Sequence, residues 1–245
     1  MTLKQIAGDT FRFRCHKEIE CFTKCCADLQ LVLTPYDIIR MKHRLSMSSD
    51  EFLDRHTTTK MDGHRRFPMV YLQMGLDDNK RCPFVSADGC MIYEDRPGAC
   101  RIYPLGRATA KPDGGKNTLE DFFLVEEDHC MGFKEEKEWS IDEWMRNEGL
   151  KEYNEMNDHW LEIITSPKSL GHKEDMPRKI KMFFMASYNL DRFREFIFKS
   201  KFLDLFHIES ALKDSLESDD TALMKFAFDW LKFSLFGEKT IQIKS

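Results

Sequence analysis

The chain has 245 residues, 42% of them hydrophobic and 32% charged, enough to bury a core as one large domain or two small ones without disulfide staples. Its 37 basic and 42 acidic residues leave a net charge of −5, which argues against a nucleic-acid partner. The opening MTLKQIAGDTFRFR lacks the apolar run of a signal peptide, and no stretch approaches the roughly 18 apolar residues of a membrane span, so the expected location is cytoplasmic with no membrane span.

The first feature in chain order is CHKEIECFTKCC, residues 15–26, which places Cys15, Cys21, Cys25 and Cys26 within twelve residues. Cys82, Cys90, Cys100 and Cys130 follow, and no cysteine lies beyond them. Cytosolic thiols are kept reduced, so a dense pattern there points to metal binding or redox chemistry rather than to structural disulfides. The spacing runs C-x5-C-x3-CC, then 55 residues, then C-x7-C-x9-C, then 29 residues to Cys130. If 21–26 is helical, Cys21 and Cys25 share one face and Cys26 points about 100° away. Adjacent cysteines of this kind suit two neighbouring centres, or one centre where a helix unravels. Tight paired C-x2-C zinc knuckles are missing, which counts mildly against structural zinc. Eight thiolates match two four-cysteine sites, and a four-iron cluster, wider than a single ion, accepts looser spacings. Any single cysteine, Cys130 above all, could instead be a small buried hydrophobe.

After the cysteine block, LQLVLT (29–34) reads as a short strand. It enters a helix with Thr34 as N-cap, Pro35 at the first helical position and Asp37 at the positive helix end. Ser48 and Glu51 have capping-box spacing and start a second helix. FPMVYLQMG (67–75) and FFLV (122–125) are further strand candidates. Pro- and Gly-rich turns such as SADGC, EDRPGAC and KPDGG punctuate this half. Within RPGACR, Arg96 and Arg101 flank Cys100 and could offset the negative charge of a thiolate-bound cluster.

From Ser140 the texture becomes helical. Ser140 and Glu143 form another capping box, and Tyr153, Met156, Trp160 and Ile163 stripe one helical face. SPKSLGHKEDMP (166–177) reads as a linker. Phe193, Phe196 and Ile197 stripe a later helix, and Leu223, Phe226, Ala227, Trp230 and Leu231 another that ends at Gly237. Such stripes are read as core rather than as a groove for a partner peptide. The expected fold class is α+β: a small irregular cysteine-rich metal-binding domain over 1–133, followed by a mainly helical region over 134–245.

CFTKCC, LTPYDIIRM and CPFVSADGCMIYEDRPGACRIYPL together resemble the bacterial cysteine-cluster family described as zinc- or iron-chelating, with its C…C-x3-CC and CPF…GC-x-IY-x-x-RP-x-x-CR-x-YP blocks. The resemblance covers about the first 106 residues. It implies metal or iron–sulfur ligation by Cys15, Cys21, Cys25, Cys26, Cys82, Cys90 and Cys100, with Cys130 as an additional ligand. It also links the chain distantly to flagellin lysine N-methylase, which methylates protein lysines, although no glycine-rich loop follows a strand here to hold a methyl donor. No P-loop, G-x-S-x-G or H-E-x-x-H occurs. The leading expectation is an iron–sulfur protein, with one or two 4Fe-4S clusters, that is redox-active or accessory to modification of a protein partner. A zinc-stabilised binding module and a methylase-like enzyme are the alternatives, and catalytic residues are left unassigned.

Overall fold

A computed structural model describes residues 2–61, 66–110 and 119–244; the KPDGG turn lies outside them. The chain divides into two compact units that interleave along the sequence, Met1–Leu29 with Met74–Glu152, and Gln30–Gln73 with Tyr153–Ser245. The architecture is α+β, with small antiparallel sheets and a C-terminal region dominated by helices.

In the first unit, strand Leu119–Glu126 is the centre of a three-stranded antiparallel sheet, with Thr2–Gln5 on one side and Leu105–Ala110 on the other. Gly106 sits where a Cβ would come within 2.2 Å of the Phe123 ring, so the cross-strand aromatic requires glycine there. Strand Thr10–Arg12 pairs with Glu138–Ser140, setting Phe11 opposite Trp139. These pairings gather Phe11, Phe13, Leu105 and Trp144 into a buried core, against which Tyr103, Cys130, Phe133 and Trp139 pack. The rings meet edge to face, Phe13 lying 5.7 Å from Trp144 and 5.3 Å from Phe133 between centroids, the arrangement that ring quadrupoles favour. None of these strands except Leu119–Glu126 overlaps a strand read from the sequence.

In the second unit, Met69–Leu72 is the middle strand between Val32–Leu33 and Thr57–Lys60, and all four of its residues are buried. The helices begin where their caps dictate. Thr34 with Asp37 caps Pro35–Arg44, and Ser48 with Glu51 caps Ser49–His56, each a reciprocal box in which both side chains bond backbone N–H groups. The stripe Tyr153, Met156, Trp160 and Ile163 of helix Leu150–Ile164 is buried, as is Leu223, Phe226, Ala227, Trp230 and Leu231 of helix Asp220–Phe236, which ends at left-handed Gly237. The aromatic stripes are therefore core. Phe193, Phe196, Phe202, Phe206, Phe226 and Trp230 form a continuous set of ring contacts. One buried polar knot interrupts this core. Lys42 Nζ lies 2.8 Å from both Asp191 and Asp220, while Arg194 and His43 also reach Asp220. Each buried charge thus has a partner. No helix among the described residues is long and apolar enough to cross a membrane.

Candidate metal centre

The cysteine block folds as successive turns, not as a helix. Phe22, Lys24 and Cys26 donate their N–H groups three residues back, to Ile19, Cys21 and Thr23. Thr23, at φ 64, occupies the left-handed region, which breaks any helical continuation. The one-face geometry conditional on a helix over 21–26 is thereby overturned. Instead, Cys25 and Cys26 share a side-chain hydrogen bond at the end of these turns.

Each later cysteine is carried to this block by a separate device. An antiparallel bridge joins Ala27 to Arg81, and Cys82 N–H donates to the Cys26 carbonyl at 2.8 Å, so the 55-residue gap closes on a hydrogen bond between two cysteines. A two-stranded hairpin, Val85–Ser86 with Gly89–Cys90, turns through Gly89 at φ +111 and presents Cys90. Cys100 sits in the short helix Gly98–Ile102, its N–H bonded to the Pro97 carbonyl at 2.9 Å. Cys130 N–H donates to the Glu127 carbonyl at 2.8 Å, and its side chain lies against the aromatic core.

The electrostatics reveal which thiols are neighbours. Cys15 is pushed up to about 11, first by burial and then by repulsion from Cys25, Cys21 and Cys130. Cys130 is raised by burial and by Cys21 and Cys25. Cys26 is raised by its hydrogen bond with Cys25, by burial, and by Cys25, Cys100 and Cys82; Cys82 is raised by burial and by Cys90. The Cys25 thiol, favoured by the same bond to Cys26, is held below the ordinary value. Cys15 and Cys130 are thus each coupled to Cys21 and Cys25, and Cys26 to Cys25, Cys82 and Cys100, with Cys90 tied in through Cys82. Burial first, and repulsion between like charges after it, keep these thiols protonated without a cation, and a cation that replaces those protons reverses the repulsion. Among the described residues, no three His, Cys, Asp or Glu side chains converge on the position of one metal ion.

Individual donors around the sulfurs favour thiolate, against the stronger effect of burial. Met131 N–H donates to Cys21 Sγ at 3.2 Å. Cys82, Cys90 and Cys130 each accept a backbone N–H from the residue two ahead, Phe84, Ile92 and Gly132, and each such bond lowers its thiol against the stronger effect of burial. These are the donors that stabilise sulfur bound to a metal. Arg96 and Arg101, each 8% exposed, are buried rather than surface charges. Arg96 stacks on Tyr93, bonds Glu148 and favours the Cys90 thiolate, while Arg101 bonds the backbone carbonyls of Glu148 and Glu94. His16 is held between Glu18 at 2.6 Å and Glu135 at 3.2 Å, and His129 lies 3.4 Å from Glu127, so both imidazoles have carboxylate neighbours.

A family model, CxxCxxCC, described as "Putative zinc- or iron-chelating domain", matches residues 14–138. The chain belongs to this family. Its CxxCxxCC region contains all eight cysteines and both arginines. No curated protein and no solved structure matches the chain. The all-sulfur donor set, the N–H groups directed at sulfur and the Arg96 charge that favours the Cys90 thiolate fit a thiolate-bound zinc or iron group. Reading the sequence missed Tyr103, Glu127, Glu148 and the Met131–Gly132 amides. Tyr103, in the C-R-x-Y-P run, had a motif to mark it; the others adjoin the thiols only through nonlocal folding.

Proposed function

We propose that this CxxCxxCC-family chain is an iron–sulfur protein with two four-cysteine centres, one on Cys15, Cys21, Cys25 and Cys130 and the other on Cys26, Cys82, Cys90 and Cys100. It passes electrons to a protein partner or supports that partner's modification, inside a reducing compartment. The coupling of Cys15 and Cys130 to Cys21 and Cys25, and of Cys26 to Cys82 and Cys100 with Cys90 joined through Cys82, supports this reading. Loose spacing and a thiol neighbourhood broader than one ion's shell favour a cluster over zinc. A bound cluster supplies one-electron transfer. The chain's own residues do the rest: the amides of Met131, Phe84, Ile92 and Gly132 donate to sulfur, Arg96 offsets negative charge at Cys90, and the aromatic core packs against Cys130.

Metal and acid-labile sulfide analysis of anaerobically purified full chain tests the proposal. Iron and sulfide in about equal amounts, with broad thiolate-to-iron absorption near roughly 400 nm, support it. A colourless protein with stoichiometric zinc and no sulfide overturns it in favour of a zinc-stabilised module, and saturable binding of a methyl donor would move it towards the methylase-like alternative.

A further inference from the structure

Tyr103 follows helix Gly98–Ile102 and so belongs in sequence with Cys100, but its ring packs edge to face on Phe13 at 5.6 Å, beside the core where Cys130 lies. Its hydroxyl is buried without a well-formed hydrogen bond to any partner. A buried orphan hydroxyl is costly unless the functional state supplies an acceptor. The Cys130 side chain packs against the same core, and burial followed by Cys130, Glu127 and Cys25 holds the Tyr103 hydroxyl above its ordinary value. A thiol is a weak acceptor, whereas a thiolate is a strong one. The acceptor Tyr103 needs therefore arises when Cys130 gives up its proton to a metal.

We infer that Tyr103 is a positioning residue that donates its O–H to the metal-bound Cys130 thiolate and thereby tunes only the centre formed by Cys15, Cys21, Cys25 and Cys130. The inference rests on the metal-centre reading above. No covalent or redox step is required of the tyrosine, whose hydroxyl burial holds above its ordinary value, so that it stays protonated at neutral pH and acts through one hydrogen bond. The arrangement makes the two centres unequal, because the corresponding donors to the other set are backbone amides at Cys82 and Cys90, which Tyr103→Phe leaves in place.

The test compares full-length wild type with Tyr103→Phe, which keeps the ring on Phe13 and removes only the hydroxyl. Both are purified anaerobically, and metal release to excess EDTA and redox titration are followed. Wild type should release metal in two phases, and Tyr103→Phe should accelerate one of them by about 10-fold or more, as loss of a second-layer donor does at metal sites, while the other phase and the melting temperature stay unchanged. In the iron form, one reduction wave should move to lower potential, since a donor to sulfur stabilises the more negative reduced state. A loaded wild type with an indistinguishable Tyr103→Phe overturns the role of Tyr103 alone. Equal acceleration of both phases, or phenolate-to-iron charge transfer in wild type that Tyr103→Phe abolishes, also overturns it, by making the residue a general packing element or a direct ligand. A wild type that never retains metal instead sinks the metal-centre reading.

Discussion

Gly132 joins the aromatic core to the thiols, so Gly132→Ala should damage both. A Cβ there would lie 2.6 Å from Phe13 Cε2 and 3.0 Å from the Arg14 carbonyl oxygen. Neither neighbour can easily yield. Phe13 is 3% exposed and flanked by Tyr103, Phe133 and Trp144, while the Arg14 oxygen is backbone in a segment whose N–H bonds the Gly132 carbonyl at 3.1 Å. Inserting a methyl into packing of this kind costs about 1–3 kcal/mol, which lowers the melting temperature by about 4 °C or more in a unit of this size. The Gly132 amide also donates to Cys130, so relief of the clash by movement of this turn weakens that sulfur's hydrogen bond. The assay is thermal unfolding of the metal-loaded chain together with its metal content. Gly8→Ala is the comparison: Gly8 has φ +78 and nothing within 4 Å of an added Cβ, so it should pay only a left-handed backbone penalty of about 1 kcal/mol and keep its metal. If Gly132→Ala matches wild type in melting temperature and metal content, the rigid packing of Phe13 on the Cys130 turn is refuted.

Cys25→Ser and Cys100→Ser should each lower metal content and soluble yield sharply, because serine matches cysteine in size but is a poor soft-metal ligand; Cys130→Ser should be milder or confined to one centre, and full metal occupancy in the first two variants would contradict ligation. Removing metal by chelation should speed amide exchange around Cys82 and Cys130 while helix Asp220–Phe236 stays protected, since binding free energy at such sites is also folding free energy; uniform loss of protection across both units would be the contrary result. Asp220 is held down to about 2: burial would raise it, but hydrogen bonds from Lys42 and Arg194 prevail. A depressed carboxyl contributes stability above its unfolded value of 3.8, here about 2 kcal/mol, which disappears as pH falls from about 4 through about 2. Carboxyl-carbon NMR should place the Asp220 midpoint well below an ordinary aspartate, and an ordinary midpoint would show that the knot does not stabilise the charge.

Much of the helical structure was legible because its signals are local. Thr34 with Asp37, Ser48 with Glu51 and Ser140 with Glu143 satisfy helix ends within four residues, and the stripes at Tyr153–Ile163 and Leu223–Leu231 bury one face whatever lies opposite. The cysteine-rich region and its relation to a chelating family were likewise readable from side-chain identity and spacing. The strands Thr2–Gln5 and Leu105–Ala110 were not, since both take their place from pairing with Leu119–Glu126 and the first is exposed throughout, leaving no alternation to read. Nor could spacing show which thiols are neighbours. Cys26 is a neighbour of Cys82, 56 positions on, because the Cys82 amide closes on the Cys26 carbonyl. Cys130 joins Cys15 and Cys21 because the aromatic core brings that turn against the N-terminal strands. Composition and local capping depend on residues a few positions apart, whereas these neighbours depend on hydrogen bonds and packing between distant segments, as in Thr10 with Glu138, 128 positions on, and only the folded chain brings them together.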